Sequence, residues 1–114
     1  GLGDVYKRQA EILESKSVSC AVVDIRQINP IDHDRIAEYV LGTGRFIVID
    51  GGWSNCGLAG EIIAGTCERL ELSKLKVNPE RITLTDTPAP SARTLEKEYY
   101  PDHLTVVDAV MKML

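Results

Sequence analysis

The segment from Arg45 to Leu70 constrains the fold of this chain more than any other. Its short apolar run, Phe46 to Asp50, predicts a buried strand. A glycine-rich stretch follows, and the amphipathic pattern after it predicts a helix from Ala59 to Leu70. A strand, a glycine-rich turn and a helix in this order form the first half of a β-α-β unit. The segment therefore predicts an α/β domain.

The same glycine-rich stretch has the architecture of a phosphate-binding turn without its chemistry. Gly52 and Gly57 have the G-x4-G spacing of a nucleotide-binding loop, but Leu58 and Ala59 stand where such a loop needs Lys and Ser or Thr. The dinucleotide pattern G-x-G-x-x-G is also missing, since only Gly57 and Gly60 keep its spacing. We therefore interpret the loop as structural, or as a surface that meets another protein.

Two further strands are predicted on either side of this unit. Residues 17–25 contain a continuous apolar run, as in a strand that is covered on both faces. Residues 81–85 alternate, with Ile82 and Leu84 pointing inward. Because predicted helices separate the strands, we expect a three-layer αβα domain whose sheet is mainly parallel.

Three more helical segments complete the pattern. The pattern of residues 10–15 predicts the end of a leading helix. Asp32 is placed to cap a second helix, which is predicted to end at Leu41. Thr105 and Asp108 predict a capping box for a closing helix over residues 104–114. Leu72, Leu75 and Val77 are expected to carry the chain back over the helix of residues 59–70. The other helical side chains expected to face the core are Ile36, Ala37, Val40, Leu41, Ile63, Cys67, Leu70, Val106, Val107, Val110 and Met113.

Charge and cysteine usage limit the possible partners and ligands. The net charge is −4 and Lys and Arg are scattered, which argues against nucleic acid or an anionic membrane as the partner. The three cysteines form no C-x-x-C pair; Cys20 and Cys67 are interpreted as buried apolar residues, and Cys56 as an exposed residue of the glycine-rich loop. His33 and His103 share no metal-ligand spacing with them, so no metal site is predicted.

No complete catalytic constellation emerges from the sequence. Asp24, Asp50 and Asp86 each lie near the end of a predicted strand, where α/β sheets place ligands, but such residues more often cap turns or accept backbone N–H groups. Large aromatic residues in loop-like segments must be covered either by the domain's own core or by a partner. We predict no catalytic, cofactor-binding or metal-binding residue, and a partner interface formed by Trp53, Cys56, Tyr99 and Tyr100.

Several segments, taken in order, carry a resemblance to a known family. They are Val22-Val23-Asp24-Ile25-Arg26, Asn29-Pro30-Ile31-Asp32, residues 44–53, residues 57–62, Asp86-Thr87-Pro88-Ala89-Pro90 and residues 95–101. From about residue 10 to its end, the chain resembles the C-terminal domain of the β subunit of 2-oxoacid dehydrogenase E1 components, a transketolase C-terminal-like domain. Gly51, Gly52 and Trp53 are most similar to the pyruvate dehydrogenase branch, and the branched-chain and acetoin dehydrogenases remain alternatives, so the resemblance leaves the oxoacid open.

The resemblance implies a heterotetrameric enzyme that decarboxylates a 2-oxoacid with thiamine diphosphate and magnesium and passes the acyl group to lipoamide on the E2 component. It also implies that the α subunit holds the diphosphate and magnesium, so that this fragment binds neither. The resemblance further implies that a domain of this kind serves β–β assembly and docking of the subunit-binding domain of E2. The implied partners are therefore the E1 α subunit, a second β subunit and E2, in the bacterial cytoplasm or the mitochondrial matrix.

The front of the chain departs from the family. Asp4-Val5-Tyr6-Lys7-Arg8-Gln9 resembles the translation of a sequencing-library adapter, so we expect residues 1–9 to be non-native and the domain to occupy residues 10–114. The family implies a central strand upstream of residue 10. Loss of this strand would remove several buried apolar side chains, each worth roughly 1.5–3 kcal/mol, from a domain whose total stability is about 5–15 kcal/mol. The fragment alone is therefore expected to be unstable, and it is also expected to be inactive. Two alternatives are the C-terminal domain of a transketolase or deoxyxylulose-phosphate synthase, and a free-standing ligand-binding α/β domain.

Overall fold

A computed structural model of the chain describes residues 11–23, 25, 30–84 and 103–114. Asp24, Asp86, the proline segment 88–90, Tyr99 and Tyr100 lie outside the described residues. Residues 11–15 are helical, as predicted. The elements that follow are α1 (His33–Thr43), β1 (Ile47–Trp53), α2 (Leu58–Cys67), a 3-10 turn (Leu72–Lys74), β2 (Glu80–Leu84) and α3 (His103–Lys112). None of the helices in this part of the chain has both the length and the apolar character that a membrane crossing requires.

The two strands form a parallel pair, which confirms the predicted parallel α/β architecture. Ile47 lies opposite Glu80 and Ile49 opposite Ile82. The register then shifts, because Trp53 lies opposite Leu84, so the three residues of β1 between Ile49 and Trp53 face a single residue of β2. Such a bulge bends a strand and re-aims the residues that follow it. In β1 the bulge consists of Asp50, Gly51 and Gly52, at the start of the glycine-rich stretch.

Both ends of helix α1 are capped by hydrogen bonds between residues that are close in the sequence. The carboxylate of Asp32 accepts a hydrogen bond from the backbone N–H of Arg35 at 3.2 Å, which confirms the predicted cap. Gly44 ends the helix in the left-handed region at φ 72°, and its N–H donates to the carbonyl of Val40 at 2.7 Å. The helix therefore ends at Thr43, two residues later than Leu41.

The buried faces of α1 and α2 differ in part from the predicted ones. In α1, Ala37 and Val40 are buried as predicted, Ile36 is half-buried, and Leu41 is exposed. Ile63 and Cys67 of α2 are only half-buried. Leu70 is also half-buried and lies beyond the end of α2 at Cys67, so the predicted helix end at Leu70 is wrong. The buried residues of α2 are Ala59, Ile62, Gly65 and Thr66. Small residues make up most of this face, because α2 approaches its neighbours too closely for larger side chains.

The last two elements bury most of the side chains that their patterns predict. Ile82 and Leu84 of β2 are buried. In α3, Val106, Val107 and Met113 are buried and Val110 is half-buried. The predicted capping box is wrong, because α3 begins at His103 and Thr105 therefore lies inside the helix rather than at its N-cap.

The predicted strand at residues 17–25 is wrong over its described part. Residues 18–23 and 25 form no strand, and Val22 and Val23 are 47% and 46% exposed. A strand needs the N–H and C=O groups of a neighbour, and among the described residues β1 and β2 pair with each other. The apolar run therefore lacks a ladder. Cys20 in this segment is half-buried, and burial raises the pKa of its thiol.

Candidate functional site

The strongest candidate site is the β1–α2 loop, residues 53–57, at the carboxyl end of β1. Parallel α/β sheets place their binding sites at this end. Trp53 ends the strand with 52% of its surface exposed. Cys56 is exposed as predicted and has a φ of 56°, in the left-handed region. The loop thus presents an indole ring and a thiol to solvent within four residues of one another.

Gly57 allows this loop to close. It is the N-cap residue of α2, and a β-carbon at this position would collide with the backbone carbonyl of Trp53. Its φ of −90° is open to any residue, so glycine is required by space and not by backbone strain. The glycine at this position serves the contact between loop and strand, which supports the structural interpretation of the loop.

The side chain of Asp50 argues against a phosphate ligand at this loop. It lies in the bulge of β1, where its carboxylate accepts a hydrogen bond from the backbone N–H of Gly52 at 3.0 Å. A phosphate loop must offer such N–H groups to the anion, and a carboxylate that already occupies one of them would also repel the phosphate. Asp50 therefore stabilises the bulge, the structural one of the two roles considered for it.

Arg81 contributes to the site although its sequence pattern gave no sign of this. Its side chain donates from Nη1 to the carbonyl oxygen of Ser54 at 2.9 Å and so connects β2 with the loop. The same nitrogen lies 3.3 Å from the position that a β-carbon at Gly60 would occupy. Alternation along β2 indicates only that Arg81 points away from the core, and the bond depends on a tertiary approach that no local motif encodes.

A second polar cluster joins α1 to the end of α2. The side chain of His33 is only 12% exposed, and its Nε2 lies 3.7 Å from a carboxylate oxygen of Glu61. Arg69 donates from Nε to the carboxylate of Asp34 at 3.0 Å and from Nη1 to the carbonyl of Gly65 at 2.8 Å. Within the described ranges, no three His, Cys, Asp or Glu side chains come together in a way that could hold a metal ion.

The remaining predicted residues are dispersed. Cys67 is half-buried and lines an open groove of about 320 Å³ together with Leu72, Leu75 and Pro79. Leu72 itself is exposed, so the prediction that it covers α2 is wrong. Of the four predicted interface residues, the structure brings Trp53 and Cys56 into one loop, and Tyr99 and Tyr100 lie outside the described residues.

Comparison with known proteins finds one matching family model and relatives that share one name. The family model described as "Transketolase, C-terminal domain" matches residues 5–106. The pyruvate dehydrogenase E1 component subunit beta of Rickettsia bellii is 38% identical over 91% of the chain and 32% of its own length. The mitochondrial subunit of Ascaris suum is 32% identical over 97% of the chain and 31% of its own length. The human mitochondrial subunit is 31% identical over 92% of the chain and 29% of its own length. The chain thus spans less than a third of each of these relatives.

Proposed function

The chain belongs to the transketolase C-terminal domain family, and we propose that it is the C-terminal domain of the β subunit of a 2-oxoacid dehydrogenase E1 component. The observation that carries this proposal is the 38% identity to a pyruvate dehydrogenase E1 β subunit over nearly the whole chain. In the proposed function the whole enzyme decarboxylates a 2-oxoacid, with pyruvate as the favoured substrate, and transfers the acyl group to lipoamide on E2. Its thiamine diphosphate supplies the electron sink for decarboxylation.

The described residues do not fit the diphosphate or its magnesium ion. The carboxylate of Asp50 takes the N–H of Gly52, which a diphosphate would need, and Leu58 and Ala59 offer it neither a cation nor a hydroxyl. No catalytic step is therefore assigned to this domain, and its proposed role is in assembly and docking. We expect the fragment alone to be inactive.

The β1–α2 loop is the proposed docking surface. Trp53 is the best anchor in it, because exposed tryptophans contribute more to protein interfaces than most other residues and Trp53 is half-exposed at the end of a strand. Cys56, Tyr99 and Tyr100 are proposed as its neighbours in the interface. The partners proposed for the domain are the E1 α subunit, a second β subunit and the subunit-binding domain of E2, in the bacterial cytoplasm or in the mitochondrial matrix.

A binding measurement on the complete β subunit, assembled with its α subunit, tests this role. We propose isothermal titration with the subunit-binding domain of E2, comparing Trp53→Ala with Tyr39→Ala. Tyr39 is the matched control, because it is an aromatic residue of α1 with a similar exposure of 46%. Loss of an interface anchor costs about 2 kcal/mol or more, equivalent to about a 30-fold weaker affinity. Equal affinities for wild type and both variants would count against docking through this loop.

Recovery of the upstream reading frame separates the proposal from its alternatives. An E1 β subunit requires a pyrimidine-binding domain upstream and an α-subunit gene in the same genome. A transketolase or deoxyxylulose-phosphate synthase requires both thiamine-binding halves in one long chain, and a free-standing ligand-binding domain requires a stop or an unrelated domain. The same experiment tests the proposal that residues 1–9 are not native, because the natural gene would then encode a different sequence before Ala10.

A further inference from the structure

We infer that Arg81 is the positioning residue of the β1–α2 loop and holds Trp53 in place through the backbone of Ser54. The importance of this position for docking rests on the proposed function. The positioning itself is a property of this chain and is testable without any partner.

The hydrogen bond of Arg81 ties the loop to a neighbouring strand. Nη1 donates to the carbonyl of Ser54 at 2.9 Å, across 27 positions of sequence. The bond between Asp50 and Gly52, by comparison, lies within β1 itself. A guanidinium bond to a carbonyl is charge-assisted and stronger than a neutral one. The rigid planar fork of Arg also loses little freedom when it forms such a bond.

The bulge in β1 explains why a side-chain tie is needed at this point. A regular parallel strand would be fixed to its end by evenly spaced ladder bonds. The register of β1 shifts between Ile49 and Trp53, so the ladder is irregular over Asp50, Gly51 and Gly52 and pairing resumes only at Trp53, opposite Leu84. Arg81 lies opposite Val48, before the shift, and its long side chain reaches past the bulge to Ser54.

The first turn of α2 is shaped to admit this side chain. Gly60 leaves the space that the guanidinium occupies, since a β-carbon there would lie 3.3 Å from Nη1. Gly57 leaves the space that the carbonyl of Trp53 occupies. The carbonyl of Trp53 is thus held by its contact with Gly57, and the carbonyl of Ser54 is held by its hydrogen bond from Arg81. A loop fixed in this way presents Trp53 already ordered, which lowers the entropic cost of docking.

Trp53 is the only tryptophan of the chain, so intrinsic fluorescence reports on this loop directly. We propose to compare Arg81→Met with Arg45→Met in the complete β subunit, with any tryptophan outside this domain replaced by phenylalanine. Arg45 is the matched control, because its Nε also donates to a backbone carbonyl, that of Met113, at 2.8 Å. Arg45 precedes β1, whose length separates it from Trp53 by about 20 Å. Methionine keeps an unbranched stem and removes the guanidinium at both positions.

The measurements are acrylamide quenching and anisotropy of Trp53 at low temperature, together with thermal unfolding followed by circular dichroism. For Arg81→Met we expect the quenching constant to rise toward that of the urea-unfolded chain and the anisotropy to fall. For Arg45→Met we expect a lower melting temperature with unchanged quenching and anisotropy. A purely structural role for Arg81 would lower the melting temperature alone.

Three results would overturn the inference: unchanged quenching in Arg81→Met, equal changes in both variants, or a wild-type chain whose Trp53 is quenched like that of the unfolded chain. Failure of the docking proposal is distinguishable from these. If Arg81→Met loosens Trp53 while the E2 domain binds the wild-type and variant subunits equally, Arg81 positions the loop but the loop does not dock E2.

Discussion

The imidazole ring of His33 lies against the α-carbon of Gly65, in the space that any β-carbon at residue 65 would need. Helices α1 and α2 therefore meet where one of them has no side chain. The contact is reinforced at its edges, because Glu61 approaches the ring from one side and Arg69 bonds both Asp34 and the carbonyl of Gly65. This arrangement fixes α1 against the helix that follows the candidate site.

Gly65→Ala is predicted to destabilise the domain, although alanine favours helix formation. The new methyl group collides with the ring of His33, and overpacking of this kind costs about 1–3 kcal/mol. Gly42→Ala is the matched control in α1, because a β-carbon there meets nothing within 4 Å. That change is expected to stabilise by about 0.5–1 kcal/mol. Urea unfolding measures both free energies.

Removal of the His33 ring tests whether this ring causes the predicted destabilisation by Gly65→Ala. In a His33→Ala background, Gly65→Ala should lose its cost, because the space is then vacant. An unchanged cost in that background, or equal effects of the Gly65 and Gly42 changes, would show that the ring of His33 is not the obstacle.

Gly57→Ala is predicted to disrupt the β1–α2 loop. The new β-carbon collides with the carbonyl of Trp53, and because that atom is backbone it cannot move without shifting the strand end. We expect a loss of about 1–3 kcal/mol and greater quenching of Trp53 fluorescence. Gly51→Ala serves as control, since a β-carbon at Gly51 meets nothing within 4 Å. Native-like quenching in Gly57→Ala would contradict the close approach.

Asp32→Ala and Asp34→Ala should differ although the two carboxylates lie on the same turn. Asp32 caps the first turn of α1 through the N–H of Arg35, and loss of such a cap costs about 1 kcal/mol. Asp34 makes an exposed ion pair with Arg69, and exposed pairs are worth about 0–1 kcal/mol. Chemical unfolding at low and high salt distinguishes them, because salt weakens the ion pair and leaves the cap nearly unchanged. A larger loss for Asp34→Ala would contradict this ranking.

The cysteines are predicted to react in a fixed order. Burial raises the pKa of the Cys20 thiol, so at pH 8 less of it is thiolate, whereas Cys56 is exposed. Mass spectrometry during iodoacetamide labelling should find Cys56 modified before Cys20. Because the pKa of Cys20 is raised in the folded chain, its contribution to stability is present below the ordinary thiol pKa and is lost as the pH rises through the raised pKa. Faster labelling of Cys20 than of Cys56 would contradict the burial.

The features that the sequence predicts well are those fixed by local chemistry. Asp32 caps α1 because its carboxylate reaches an N–H three residues away, and Ile82 and Leu84 are buried because alternation decides which face of a strand they share. Each of these interactions is made within a few residues, so a single sequence contains the information.

The features that the sequence does not predict depend on contacts between distant segments. Residues 17–25 have the composition of a buried strand, but a strand also requires a neighbour to pair with. The buried face of α2 contains Ala59, Ile62 and Gly65, and Gly65 packs against the ring of His33, which lies 32 positions earlier in the sequence. The bond from Arg81 to Ser54 likewise depends on the distance between β2 and the loop. Local patterns carry no information about these approaches.

The most direct test of the central claim separates decarboxylation from transfer to E2. In the reconstituted full-length enzyme, Trp53→Ala should leave oxoacid-dependent reduction of an artificial electron acceptor near the wild-type rate, because no described residue of this domain is assigned to the reaction. The same variant should lose most of the overall activity that requires E2. Loss of the artificial-acceptor reaction in a correctly assembled variant, or full activity with E2, would contradict the account.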